Sequence, residues 1–72
     1  MKKVQLGNRL KVARAEKNLS QEDLANLAGV SRQTISSIET GQYTPSALLA
    51  FLIAKRLDKQ VQELFFLEGD IG

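Results

Sequence analysis

Residues 19–39 restrict the fold more than any other part of the sequence, because two short helical patterns flank a break of three residues. Ser20 is a suitable N-cap, and Asp23 follows it at the spacing of a capping box. Gly29 predicts a positive φ, which lets the chain reverse within a few residues. Ser31 is a suitable N-cap for the helix that follows. The pattern therefore predicts two helices joined by a tight turn, with Ile35 and Ile38 facing inward.

Hydrophobic spacing predicts three further helices, over residues 6–17, 45–57 and 61–65, and the helix after Ser31 extends over 32–40. Asn18 suits the left-handed conformation that ends the first helix. Thr44 and Pro45 are read as the N-cap and first residue of the fourth helix. Gln60 is a poor cap, so the last helix is expected to fray. No segment alternates as a strand, although the apolar run 64–67 is able to extend. The predicted fold is all-α, a compact five-helix bundle.

The composition excludes several classes of function. Seventy-two residues are enough for one domain, taken as residues 1–72, and cysteine and histidine are both absent. Disulfides, thiol nucleophiles and Cys/His zinc sites are therefore excluded, and acid–base catalysis lacks its usual residue. An enzyme is the least expected reading, and no metal, cofactor or small-molecule ligand is expected. No apolar run is long enough for a membrane span and no signal peptide precedes the domain, so a cytoplasmic location is expected.

The charge is unevenly distributed along the chain. Residues 1–40 hold seven basic and four acidic side chains, whereas residues 41–72 hold three basic and four acidic ones. A basic first half suits a polyanionic partner that approaches from one side. A solvated helix surface explains the same excess equally well.

The chain resembles the helix-turn-helix proteins of the lambdoid phage repressor and Cro family, also called the xenobiotic-response-element (XRE) regulators. The resemblance covers about residues 4–67, with the helix-turn-helix at about 20–40. The matching residues are Arg14, Lys17, Asn18, Leu19, Ser20, Gln21, Leu24, Ala25, Gly29, Val30, Ser31, Ile35, Ile38, Glu39, Gly41, Tyr43, Pro45, Val61, Leu64 and Phe65.

The resemblance implies that the helix over 32–40 is a recognition helix in the major groove of double-stranded DNA. Arg32 then suits guanine and Gln33 suits adenine. The implied base contacts are Arg32, Gln33, Ser36 and Ser37. The implied contacts to the DNA backbone are Gln21, Ser31, Thr34, Thr40, Gln42, Tyr43 and Thr44. The alternative for these polar residues is an ordinary solvated helix face.

The same resemblance implies a structural role for two charged residues. Arg14 on the first helix and Glu39 at the end of the third match a family ion pair, so neither is expected to contact DNA. Such a pair would hold the recognition helix against the first helix. Losing one partner is expected to cost more than losing both.

The fourth helix and residues 60–72 carry more apolar side chains than a small core needs. A homodimer interface is predicted from Leu48, Leu52, Phe66 and Ile71. A larger monomer core is the alternative. We therefore expect a sequence-specific transcriptional regulator, acting as a repressor on a palindromic operator as a homodimer. The alternative function is an antitoxin-like module that binds a protein partner and binds DNA only secondarily.

Overall fold

The computed structural model describes residues 4–69, which form five helices and two strands. The elements in chain order are β1 (Val4–Asn8), α1 (Leu10–Glu16), α2 (Gln21–Ala28), α3 (Arg32–Glu39), α4 (Ala47–Arg56), α5 (Val61–Leu64) and β2 (Phe65–Gly69). The predicted all-α class is therefore wrong, although the helix-turn-helix is present. Within residues 4–69, no helix is both long enough and apolar enough to cross a lipid bilayer.

The two strands pair antiparallel and join the two ends of the described chain. Leu6 lies opposite Leu67, and Gly7 lies opposite Phe66. The sequence placed Leu6 on the first helix, but α1 begins only at Leu10 because residues 4–8 find their partner in β2. Gly7 lets the ring of Phe66 pack close to the backbone of β1, since a Cβ atom there would collide with the ring and force it to shift.

The short-range features that the sequence predicts at the two ends of α2 are present in the structure. The Ser20 hydroxyl accepts the Asp23 N–H at 2.9 Å, and the Asp23 carboxylate accepts the Ser20 N–H at 2.9 Å. The capping box is therefore confirmed, and these bonds, first that from the Ser20 backbone, lower the pKa of Asp23. The positive φ of Gly29 (75°) and of Asn18 (55°) is also confirmed.

The fourth helix begins two residues later than the sequence indicated. The Ser46 hydroxyl accepts the Leu49 N–H at 3.1 Å, and the Ser46 carbonyl accepts the Ala50 N–H at 2.9 Å. Ser46 is therefore the N-cap of α4, and the assignment of Thr44 as cap and Pro45 as first helical residue is wrong. Pro45 is instead a buried residue of the connecting loop.

The short fifth helix has a cap contact that the sequence interpretation did not include. The backbone N–H of Gln60 donates to the Glu63 carboxylate at 2.7 Å. This bond satisfies one of the donors that a helix start leaves free. The helix ends at Leu64 because the chain extends from Phe65 onward to pair with β1.

The core lies where the five helices meet. Its largest fully buried side chains are Leu10, Leu24, Ile35, Ile38, Ile53, Leu57 and Leu64. Because Ile35 and Ile38 are among them, α3 turns one side into the core and the other toward solvent. The orientation of α3 is thus set by the packing of the whole domain.

Candidate nucleic-acid interface

The turn between α2 and α3 is closed by backbone hydrogen bonds. The N–H of Val30 donates to the carbonyl of Ala25 at 3.0 Å, and the Val30 side chain packs against the core. The Ser31 hydroxyl then accepts the N–H of Thr34 at 3.1 Å and caps α3. Ser31 and Thr34 also share a hydroxyl–hydroxyl bond of 2.9 Å. The start of α3 is therefore fixed by the turn and its cap together.

The outer side of α3 carries the four side chains that the resemblance assigned to base contacts. Arg32 and Gln33 are exposed in the first turn of the helix. Ser36 and Ser37 are only half-buried and lie one turn further along. The long side chains therefore extend furthest from the domain, and the serines lie closer to the helix surface. Neutral amides and guanidinium groups of this kind form bidentate hydrogen bonds with base edges.

The end of α3 is tied to α1 by an ion pair. Arg14 Nε lies 2.6 Å from Glu39 Oε2, and Arg14 Nη2 donates to Glu39 Oε1 at 3.1 Å. The two side chains are 13% and 7% exposed. Arg14 Nη1 also donates to the carbonyl of Leu19 at 2.9 Å. The hydrogen bond with Glu39 raises the pKa of Arg14, so the guanidinium stays charged.

Gln21, the first residue of α2, links this ion pair to the outer side of α3. Its Nε2 donates to Glu39 Oε1 at 3.1 Å, and its Oε1 lies 3.4 Å from Arg32 Nη1. Arg14, Glu39, Gln21 and Arg32 thus form one continuous chain of polar contacts, which we call the polar chain. The polar chain runs from α1 to the exposed start of α3. It places the guanidinium of Arg32 beside the N-terminal end of α2.

The loop after α3 presents the other residues that were assigned to the DNA backbone. The Thr40 hydroxyl donates to the carbonyls of Ser36 and Ser37 at 3.1 and 3.3 Å. The N–H groups of Gln42 and Tyr43 both donate to the Ser37 carbonyl, at 2.9 and 3.2 Å. These bonds hold the loop against the end of α3. The side chains of Thr40, Gln42, Tyr43 and Thr44 are exposed.

A second surface lies on the side of α4, α5 and β2. It is an open apolar groove of about 680 Å³, which we call the α4–β2 groove. Three of the residues predicted for a dimer interface, Leu48 (71% exposed), Leu52 and Phe66, line it, and the fourth, Ile71, lies outside the described residues. Phe51 (64% exposed) and Leu67 (61% exposed) also line it and were missed.

Phe66 is more enclosed than Leu67. Its ring packs over Gly7, and the Arg9 guanidinium lies 4.4 Å from the centre of the ring. Such a cation–π contact stabilises the ring within its own subunit. Leu48, Phe51 and Leu67 therefore each leave a larger fraction of the side chain in water than Phe66 does. The sequence could have indicated Phe51, because it lies three residues after Leu48 and therefore on the same side of the fourth helix.

Known proteins with similar sequences and structures agree with this geometry. The family model described as Helix-turn-helix matches residues 10–64. The uncharacterised HTH-type transcriptional regulator MJ0272 of Methanocaldococcus jannaschii is 54% identical over 63 residues, covering 88% of this chain and 96% of that protein. The uncharacterised HTH-type transcriptional regulator YgzD of Bacillus subtilis is 44% identical over the same length, with the same coverage of each chain.

A solved structure extends the comparison to three dimensions. The crystal structure of the restriction-modification controller protein C.AhdI from Aeromonas hydrophila has a TM-score of 0.71 and 37% sequence identity, covering 75% of this chain and 82% of that one. Proteins of this family are DNA-binding transcriptional regulators and not enzymes. The chain belongs to the helix-turn-helix family of transcriptional regulators, of the XRE type that the sequence resembled.

Proposed function

We propose that the protein is a repressor that binds an inverted-repeat operator as a homodimer. The observation that carries this proposal is the placement of Arg32 and Gln33, both exposed in the first turn of α3, while Ile35 and Ile38 bury the opposite side of the helix. A short helix held in this way suits the major groove, where such side chains distinguish base pairs.

The remaining polar residues take supporting roles in this proposal. Arg32 pairs with guanine and Gln33 with adenine, whereas the half-buried Ser36 and Ser37 reach bases only at close approach. When the protein binds DNA, Gln21 gives up one of its contacts in the polar chain, and its side chain contacts a phosphate at the start of α2 instead. The other proposed backbone contacts are Ser31, Thr34, Thr40, Gln42, Tyr43 and Thr44. Phosphate contacts of this kind fix the register and carry no sequence information themselves.

The α4–β2 groove supports the homodimer. Leu48, Phe51 and Leu67 each leave more than half of their surface in water, which is a large apolar area for a domain of this size. A two-fold axis through the groove buries the same patch on both subunits. Two recognition helices then reach successive major grooves about 34 Å apart, which requires an operator with two inverted half-sites. Occupancy of such a site blocks other proteins from it, and this is how we expect repression to arise.

Selection from a pool of random DNA duplexes tests the proposal directly. We expect the wild-type protein to enrich an inverted repeat whose half-sites are centred about 10–10.5 base pairs, or one helical turn, apart. The measurement is sequencing of the bound fraction over successive rounds at moderate salt, since low salt favours nonspecific binding. Enrichment of no sequence would contradict a sequence-specific function. Enrichment of a single half-site would contradict the homodimer.

The same groove also favours the second candidate, an antitoxin-like module whose apolar surface holds another protein. Analytical sedimentation separates the two. We expect the purified wild type to sediment as a dimer, and Leu48→Asp with Phe51→Asp to sediment as a folded monomer. We expect the monomer to bind the operator about a hundredfold more weakly, because the second half-site no longer adds to the first.

Val12→Asp is the matched control, because Val12 is exposed on α1 and does not line the groove. This variant is expected to remain a dimer. A wild type that stays monomeric, or that aggregates when it is alone, would favour a missing protein partner over the homodimer.

A further inference from the structure

Asn8 is the last residue of β1. Both polar atoms of its side-chain amide form hydrogen bonds, one with α1 and one with α3. Its Nδ2 donates to the carbonyl of Ile38 at 3.0 Å, and its Oδ1 accepts the N–H of Leu10 at 3.1 Å. Ile38 lies in the last turn of α3, and its carbonyl also accepts the N–H of Gly41 at 3.1 Å. Asn8 therefore contacts the first residue of α1 and the carbonyl end of α3 at the same time.

This contact differs in kind from the other bonds at the end of α3. The bonds from Thr40, Gln42 and Tyr43 come from the loop that continues α3, so they move with it. The bond from Asn8 comes from the sheet, thirty residues earlier in the chain. Together with the bonds that Glu39 accepts from Arg14 and Gln21, it gives the end of α3 two kinds of attachment to the rest of the domain. One attachment is to a side chain and the other is to the main chain.

Small rotations of α3 have large effects at its other end. The helix has eight residues and is thus about 12 Å long, so a tilt of about 10° about its buried middle at Ile35 moves its carbonyl end and its first turn by about 1 Å each, in opposite directions. Arg32 and Gln33 are in that first turn. Binding geometries fail when side chains shift by more than about 0.5 Å. A contact that fixes the carbonyl end therefore acts with the core packing and the Ser31 cap to hold the base-reading side chains in place.

Asn8 also connects α3 to the α4–β2 groove. It is paired in register with Phe65 of β2, and Leu67 lies two residues further along the same strand. We propose that Asn8 is a positioning residue, which fixes α3 to the sheet and so sets the direction of the recognition helix relative to the subunit interface. This inference rests on the proposed function, because it assumes an operator and a dimer. In a dimer, the contact determines the separation and tilt of the two recognition helices.

Asn8→Asp tests this role. The carboxylate still accepts the Leu10 N–H, but it has no N–H to donate to the Ile38 carbonyl. We expect the ratio of operator affinity to nonspecific affinity to fall by roughly tenfold or more, as a misplaced site requires. The ratio is the correct readout, because the added negative charge weakens binding to all DNA alike.

The preference for one distance between the two half-sites, called the spacer preference, is a second readout. It would not change if Asn8 only stabilised the fold. Operators whose half-sites are separated by one base pair more or fewer are measured against the selected one. We expect the wild type to discriminate sharply and Asn8→Asp to accept the altered spacers almost as well. Asn8→Ala, which carries no added charge, is expected to behave in the same way while it remains folded.

Gln5→Ala is the matched control on the same strand. It removes an exposed bond of 3.2 Å to Glu68, and the Gln5 side chain forms no hydrogen bond with α3, so the affinity ratio and the spacer preference should be unchanged. A folded Asn8→Asp protein with wild-type ratio and spacer preference would overturn the inference. If the wild type itself showed no operator or no spacer preference, the proposed function would fail instead, and the two failures are thus distinguishable.

Discussion

A protein in which Arg32 and Gln33 are both replaced by alanine should fold like the wild type and lose its preference for the operator. Both side chains are exposed, and alanine favours the helix, so the fold is not at risk. Each bidentate contact to a base contributes about 1–3 kcal/mol of discrimination. Two such contacts in each of two half-sites make a loss of about a thousandfold or more in the ratio of operator to nonspecific affinity.

Fluorescence anisotropy with the selected operator and a scrambled duplex measures this ratio at several salt concentrations. Lys11→Ala is the control, because Lys11 is an exposed cation on α1 and its loss removes one positive charge as Arg32→Ala does. That control should weaken binding to both duplexes alike and leave the ratio unchanged. A double variant that is folded and retains the wild-type ratio would show that α3 does not read the bases.

Removing one partner of the pair between Arg14 and Glu39 should produce a large loss of stability. Breaking a buried ion pair from one side costs about 3–5 kcal/mol, and the residual exposure of this pair reduces that to about 2–4 kcal/mol. Glu39→Ala also leaves the amide of Gln21 without its acceptor. Because small domains have free energies of unfolding of only about 5–15 kcal/mol, this is a large fraction of the total.

Urea unfolding followed by circular dichroism measures the effect, and a double-mutant cycle isolates the pair. We expect Arg14→Met with Glu39→Ala to be less destabilised than the sum of the two single variants, because no unpaired charge remains. Lys17→Gln is the matched control, since it removes an ion pair of 2.8 Å to Asp58 that lies in solvent. That control should change stability little, although the Lys17 hydrogen bond lowers the pKa of Asp58. Strictly additive effects of Arg14 and Glu39 would contradict a coupled pair.

The features that could be predicted from the sequence are those that depend on near neighbours. The capping box of Ser20 and Asp23 and the positive φ of Gly29 are each set within a few residues. The sheet could not be predicted in this way, because β1 is only five residues long and its partner begins more than fifty residues later. Leu6 fits a helical stripe with Leu10 as well as it fits a strand. The choice between them is made by residues 65–69, which only the folded chain brings near.

In the candidate nucleic-acid interface, too, the features set by near neighbours could be predicted and those set by distant residues could not. The exposure of Arg32 and Gln33 follows from the inward spacing of Ile35 and Ile38, which is visible in the sequence. Asn8 had no such signal, because its partner is a main-chain carbonyl that any residue supplies. Every residue has a main-chain carbonyl, so a contact between a side chain and a distant carbonyl does not restrict the residue type there. Such a contact therefore cannot be predicted from the sequence.

The pairing of β1 with β2 has a consequence for synthesis on the ribosome. The first strand emerges early and has no partner until residues 65–69 have left the exit tunnel. The sheet therefore forms only after translation of the domain is nearly finished, when the earlier helices have already had time to become ordered. A nascent chain stalled before residue 65 would carry β1 without its partner, and an unpaired strand edge of this kind favours pairing with other chains and aggregation.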